Sequence, residues 1–187
     1  MLDFKSARHW AQELTGEALF EGAVAVDGTM GGGGDTLFLC ERVGPSGRVY
    51  AFDVQPDAIR RTRERLEAAG VADRARLILA GHERLVEHVT EPVDAAVFNL
   101  GWLPGGDKGI TTRVETTLAA LDACLKRLRP RGLVTICAYP GHPEGEAELH
   151  AVLGWARALP EEYQAMARAF LNPARSAPAL FAVQRLR

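Results

Sequence analysis

Residues 27–36 read DGTMGGGGDT and follow directly on the short apolar run AVAVD (23–27). Four consecutive glycines, Gly31–Gly34, are costly to order and would weaken the interior of a helix or strand. Between a buried strand and a helix they have a use: their backbone N–H groups can approach a ligand closely at the carboxyl edge of a parallel sheet. Strand, glycine turn and helix together form the first unit of an α/β fold.

Working outward, residues 4–20 have the pattern of a lead-in helix, and a helix over 36–43 follows the turn, with Asp35 placed to cap it. GRVYAFD (47–53) reads as a second strand. PDAIRRTRERLEAAG (56–70) reads as a helix with proline at its start and glycine at its end. ARLILA (75–80) is a third strand, a polar turn and short helix run to Val89, and DAAVFNL (94–100) is a fourth strand. After the glycine-rich loop GWLPGGDKGIT (101–111), a helix over 113–129, a strand over 133–140 and a helix over 143–159 continue the alternation. Such alternation implies right-handed crossovers and a parallel sheet. The ending differs: YQAMARAFLN (163–172) and ALFAVQR (179–185) are strand-like and joined by six residues, too few for a helical crossover, so they predict an antiparallel hairpin. A parallel sheet finished this way resembles the Rossmann-like class I methyltransferase fold. The expectation is an α/β fold with a seven-stranded, mostly parallel sheet and helices on both faces.

A chain of 187 residues, 47% of them hydrophobic, is long enough for one sizeable core, and a single domain over 1–187 is expected, with residues 1–22 as its N-terminal lead-in. The formal charge of −2 excludes a strongly basic protein, so a nucleic-acid partner would be met by a local patch. Cys40, Cys124 and Cys137 are odd in number and far apart, which argues against a disulfide framework or a zinc site; no metal is expected. Charged residues punctuate the N-terminus and no 18-residue apolar run occurs, so the expected location is the cytoplasm, without a membrane partner.

Three ligands compete for the turn. A phosphate-cradling P-loop ends in Gly-Lys-Ser/Thr, whereas Gly34 is followed by Asp35 and Thr36, and a carboxylate there repels phosphate. A dinucleotide turn, GxGxxG, matches at Gly31 and Gly33 but has Thr36 in its third position; Asp53 at the end of the second strand suits its ribose, so this reading stays open, as does a plain glycine turn. S-adenosylmethionine has no phosphate and carries a sulfonium and an amino group, so acidic residues favour it. Asp27 would then face the methionine end, the amides of 29–34 would line the turn, and Asp53 would take the ribose hydroxyls.

DGTMGGGGDTLFL, FDVQ, GHE (81–83), FNLGWLPGGDK (98–108), ITT (110–112) and YPGHPEGEAE (139–148) together resemble the MnmM/YtqB-like family of small bacterial proteins long labelled rRNA methylases. That resemblance implies S-adenosylmethionine-dependent conversion of 5-aminomethyl-2-thiouridine to its 5-methylaminomethyl form at the wobble position of tRNA, by a homodimer. It covers residues from about 20 onward, and NLGWLPGGDK is its most specific part. Gly28, Gly32 and Gly34 stand where the family turn has Ala, Asn and His, and Pro173 stands where Gln is usual. The turn also resembles that of the longer rRNA cytidine N4-methyltransferases.

The resemblance implies cofactor contacts from Asp27, Thr29, Gly31, Gly33, Asp35, Thr36, Asp53, Gln55, His82, Glu83, Asn99 and Leu100. Methyl transfer from a sulfonium is an in-line displacement that rewards positioning of a neutral amine. Asn99 can accept a hydrogen bond from that amine, with the Leu100 carbonyl accepting another, much as in the Asn-Pro-Pro-Tyr arrangement of other amino-methyltransferases. An alkylammonium must lose a proton first, and Asp107 and His142 are the titratable candidates; each can equally cap a helix or order its loop. Lys108 suits an anticodon phosphate. Thr111 or Thr112 is expected to cap the following helix, Thr112 also facing substrate. Arginines 60, 61, 63 and 65 read as a solvated helix face, and 127, 129 and 131 as a helix end complementing its dipole.

Overall fold

The computed structural model describes residues 4–103, 105–106, 109–172 and 177–187. Helix α1 (Ala7–Ala18), capped by the Ser6 hydroxyl, leads to β1 (Val24–Asp27) and α2 (Gly34–Val43). Then come β2 (Arg48–Asp53), α3 (Pro56–Ala68), β3 (Ala75–Leu79), a one-turn α4 (Leu85–His88) and β4 (Val93–Asn99). The chain ends with α5 (Val114–Arg127), β5 (Leu128–Ala138), α6 (Pro143–Arg157), β6 (Tyr163–Arg168) and β7 (Ala179–Arg185).

The seven strands form one sheet in the order β3-β2-β1-β4-β5-β7-β6. Neighbours from β3 through β5 pair in parallel, and β7 pairs antiparallel with both β5 and β6. The expected seven-stranded, mostly parallel sheet with a C-terminal antiparallel hairpin is therefore present.

Strand alternation assigns the faces. Val26, Phe52, Phe98, Ile136 and Phe181 point to one side and pack with Leu85, Leu121 and Val152 of α4, α5 and α6. Ala25, Val49 and Val97 point to the other, against Leu39 of α2 and Leu66 of α3, while Trp10 of α1 packs near Cys137 and Leu180. All three cysteines are free and buried, as small hydrophobes. Between β1 and β4 the chain reverses its direction of travel across the sheet, and the crevice beyond the carboxyl ends of such strands is where this architecture accepts ligands.

Several boundaries differ from expectation. β5 begins at Leu128, five residues earlier than predicted: Leu128 pairs with Val93, the register then jumps to Leu133 opposite Ala95, and residues 129–132 form an irregular bulge in which Arg131 takes φ 68°. Arg129 and Arg131 therefore lie past the helix, Arg129 pairing with Asp94; only Arg127 ends α5, donating to the Thr90 carbonyl. β6 stops at Arg168, and Phe170 turns instead onto the rings of Phe4 and Trp10. Asp35 does not cap α2, because that helix begins earlier, at Gly34, with left-handed Gly33 in the cap position. The cap of α5 is Arg113, without a side-chain bond, and neither Thr111 nor Thr112 fills that role.

Candidate functional site

The glycine turn is held between its neighbours by backbone bonds. Gly28 N–H donates to the Val97 carbonyl, Met30 N–H to that of Phe52, and Gly33 N–H to that of Met30. Gly33 has φ 76°, and a Cβ there would lie 2.9 Å from the Thr62 Cα, so glycine is needed both for conformation and for the close approach of α3. At Gly32, in contrast, an added Cβ would meet nothing within 4 Å. The turn thus presents open backbone on its outer side.

Asp27 and Thr36 lie beneath it, both with 0% exposure. The Asp27 carboxylate accepts from Thr29 N–H (3.1 Å) and the Thr36 hydroxyl (2.7 Å). Burial, and then the neighbouring charge of Asp35, push its pKa up to about 7 against those two hydrogen bonds. Asp27 was expected to face a ligand; in this conformation it and Thr36 instead support the turn from below.

Asp53, ending β2, accepts from Gly31 N–H at 3.0 Å and Gln55 N–H at 2.9 Å, one on each oxygen. Burial raises its pKa, opposed by those amides and that of Val54. Each carboxylate oxygen has a second lone pair, so the group can still receive a diol. His82 is 6% exposed and its Nδ1 lies 3.0 Å from the Gly28 carbonyl. A carbonyl only accepts, so Nδ1 carries the proton, and burial holds the ring's pKa below the usual histidine range. His82 thereby fastens the segment after β3 to the turn, and Glu83 folds its carboxylate back over Gly81.

At the end of β4 the pattern changes. Asn99 N–H donates to the Thr29 hydroxyl at 2.7 Å, and its Nδ2 donates to Asp35 Oδ2 at 2.8 Å. A carboxylate accepts only, which fixes the amide's orientation and turns Oδ1 away from Asp35. Oδ1 is buried and has no hydrogen-bond partner. Asp35 is itself clamped by Arg8 Nε (3.0 Å) and Gln12 Nε2 (2.6 Å) from α1, and the Arg8 bond raises the guanidinium's pKa further. Leu100 is buried, its N–H bonded to the Cys137 carbonyl.

The loop beyond is anchored through a residue that the sequence reading missed. Gly101 N–H donates to the Thr112 hydroxyl (2.7 Å), which donates to Glu148 Oε2 (2.7 Å); the other oxygen of Glu148, only 1% exposed, accepts from the Thr117 hydroxyl (2.6 Å). In sequence, Glu148 sits with Gly145 and Val152 on the inward stripe of α6, and an acidic residue at a core position was the available signal. His142 caps α6, its Nδ1 accepting from Gly145 N–H at 3.1 Å, with the Trp102 ring centroid 4.3 Å from its own. The structure thus gathers Asp27, Thr29, Gly31, Gly33, Asp35, Thr36, Asp53, Gln55, His82, Asn99 and Leu100 around the turn and the adjoining strand ends. Thr112 is bonded to Gly101 and His142 packs on Trp102, beyond the end of β4, and Asp107 and Lys108 lie outside the described residues. Arg60 and Arg61 pair with Asp57 on the outer face of α3, as a solvated face should.

Among the described residues no cluster suited to a metal occurs, and no helix is long and apolar enough to cross a membrane. The family described as "Putative rRNA methylase" matches residues 49–184. A chloroplastic tRNA (mnm(5)s(2)U34)-methyltransferase of Arabidopsis thaliana is 38% identical over 166 residues, which are 83% of this chain and 61% of that protein. The chain therefore spans about three fifths of that relative's length. A solved structure from Clostridium thermocellum with the same description as the family superimposes with a TM-score of 0.96 at 34% identity, covering 98% of this chain and all of that one. SMU.1697c of Streptococcus mutans, solved in complex with SAH, gives 0.89 at 34% identity over the same shares.

Proposed function

Because the chain belongs to the rRNA methylase family, we propose that it is an S-adenosylmethionine-dependent RNA N-methyltransferase whose acceptor is the amine of 5-aminomethyl-2-thiouridine at the tRNA wobble position. The observation that carries this reading is Asn99 Oδ1: a buried acceptor, held in place by Asp35 and left unpaired at the switch point of the sheet. The chain acts, in this reading, as one catalytic domain and as a homodimer in the cytoplasm.

The residues fit the cofactor. The side-chain-free turn at Gly31–Gly34 offers its backbone, Asp53 is placed for ribose hydroxyls, and the carboxylates of Asp35 and Asp53 suit a ligand that carries cationic sulfur and an amino group. When bound, that cofactor supplies an activated methyl group. The protein's own work is placement: Asn99 Oδ1 accepts one N–H of the neutral amine and points its lone pair along the transfer line, and the Leu100 carbonyl takes a second N–H. The Asn99 carboxamide cannot remove a proton, so the ammonium must lose its proton elsewhere before attack. Nδ1 of His142 accepts the α6 cap bond, so the neutral ring carries its hydrogen on Nε2 and can receive the amine's proton only at Nδ1, in place of that cap bond. Asp107 and Lys108 keep the roles expected from the sequence, second candidate base and phosphate contact.

Calorimetric titration with S-adenosylmethionine, NAD and ATP, repeated on Asp53→Ala, tests the cofactor. Binding of the first alone, weakened in the variant, is expected; preference for NAD would overturn the reading. Acceptor identity follows from methyl transfer to tRNA lacking the final methyl group compared with rRNA.

A further inference from the structure

At the end of the sheet opposite the glycine turn, where α5 finishes and β4 starts, lies a cavity of about 300 Å³ whose wall carries Lys126, Arg127, Arg129 and Arg185 and no acidic residue. Four cations therefore face one gap in a chain of formal charge −2. A helix C-terminus favours cations, which accounts for Lys126 and Arg127. It does not account for Arg129, in the bulge of β5, or for Arg185, at the end of β7. The way these groups are held sets them apart from an ordinary charged surface. Arg127 Nη1 donates to the Thr90 carbonyl at 3.2 Å, and Arg185 donates Nη1 to the Leu128 carbonyl at 2.7 Å and Nε to the main-chain oxygen of Arg187 at 3.0 Å. A carbonyl fixes a guanidinium in place and brings no charge to neutralise it. Arg129 alone of the four faces an acidic side chain, Asp94 at 3.4 Å. Lys126 is exposed and has no hydrogen-bond or ion-pair partner among the described residues. Elsewhere on the surface Arg48, Arg60 and Arg84 each pair with an aspartate or a glutamate.

We infer that this cavity is a phosphodiester contact for the RNA, in which the free N–H groups of Arg127 and Arg185 and the ammonium of Lys126 bind backbone phosphate oxygens. The inference rests on the RNA methyltransferase reading and adds to it a contact remote from the methyl-transfer site. Three observations favour an RNA backbone over another anion. A guanidinium matches a phosphate through two parallel N–H bonds, and one already fixed by a main-chain oxygen loses little freedom in making them. The wall has no aromatic ring on which a base could stack, so the cavity is built to position a backbone and not to read a sequence. Its place completes the case. Helix α5 runs from the loop beyond β4 to the cavity, and its 14 residues span about 21 Å. A nucleoside seated at Asn99 is too short to reach that far, whereas the stem that carries an anticodon loop extends over such a distance and presents phosphates along it.

The test uses the full chain, SAH and a labelled synthetic anticodon stem-loop carrying 5-aminomethyl-2-thiouridine, with affinity read by fluorescence anisotropy across a salt series. Lys126→Gln and Arg127→Gln should each raise Kd several-fold and make the slope of log K against log salt shallower by about 1. Lys126→Arg should keep wild-type affinity and slope, and Arg63→Gln, which removes an exposed cation from α3, should move neither. S-adenosylmethionine affinity by calorimetry and kcat at saturating stem-loop should stay at wild-type values in every variant, which a merely structural role for these side chains would not allow. Sodium phosphate should displace the stem-loop no better than sodium chloride of equal ionic strength. Displacement specific to phosphate would make the cavity a free-anion site, and labelled polyglutamate losing affinity in the same variants would assign it to an acidic protein; either result overturns the RNA contact. Variant-dependent binding without methylation would remove the proposed acceptor chemistry and leave the phosphate contact standing. Methylation by wild type with unchanged Kd and slope in Lys126→Gln and Arg127→Gln would overturn the contact and leave the methyltransferase reading intact.

Discussion

The two halves of the carboxyl edge differ in how completely their polar groups are paired. Around the glycine turn both oxygens of Asp27 and of Asp53 are occupied, Asp35 takes three donors, and His82 is bonded to the turn's own carbonyl. Beyond β4, the loop side keeps two buried acceptors without partners, Asn99 Oδ1 and Thr111 Oγ1. The paired half has its hydrogen bonds in place without a ligand, which in the proposed reading suits a cofactor that binds in every cycle. In the proposed reading, the unpaired half is completed only when an acceptor enters. Catalysis by placement rewards this division, because an unpaired polar group gains its full hydrogen bond only with the reacting amine in position.

The sharpest way to break the comparison is at the unpaired side. Asn99→Ala should lower kcat for RNA methylation about 10²-fold or more, with cofactor affinity nearly unchanged; equal losses in both would mean that Asn99 belongs to the paired half. On the paired side, Gly33→Ala forces a side chain into left-handed backbone against α3 and should destabilise the fold by about 1–3 kcal/mol, measured by urea unfolding, with weaker cofactor binding. Glu148→Leu leaves the Thr112 and Thr117 hydroxyls without their acceptor and should cost about 1–3 kcal/mol while raising KM for RNA more than it weakens cofactor binding.

A pH scan sharpens the same contrast. The Asp27 pKa is raised in the fold from its ordinary 3.8 to about 7. Below about pH 4 the carboxyl is protonated in both states; between there and about 7 the folded protein retains a proton that the unfolded chain has lost. The ligand-free protein should therefore lose stability as pH rises through that window, with the loss complete above about 7. Asp53, also raised, adds to the loss with the same sign. Asp27→Asn should flatten most of the slope in thermal melts; an unchanged slope would mean that Asp27 is ionised in the fold. The smallest effect belongs to Arg60→Ala on the outer face of α3, which should leave the same melts nearly unchanged, since its pairs with Asp57 and Glu64 are exposed.

What the sequence made legible follows from which forces act locally. Period-2 and period-3.6 patterns and the glycine turn located all seven strands, because those signals come from adjacent residues. The early start of β5 was hidden because Pro130 and Gly132 interrupt the apolar pattern ahead of Leu133, while in the sheet they form a bulge held by Leu128 against Val93. Asp35 read as a helix cap because nothing near it in sequence announces Arg8 and Gln12, which arrive from α1. Asn99 was placed by its position after an apolar run, yet its unpaired oxygen became visible only once Asp35 fixed the amide. Glu148 was passed over as one more acid in EGEAE, since burial on the inner stripe of α6 is set by packing rather than by local composition.

The central claim is most directly tested by incubating the protein with S-adenosylmethionine and two anticodon stem-loops, one carrying 5-aminomethyl-2-thiouridine and one carrying plain uridine, and reading the nucleosides by mass spectrometry. The account predicts one added methyl group on the exocyclic amine of the first and none on the second. Transfer to a ring position, to both RNAs alike or only to an rRNA fragment would contradict it.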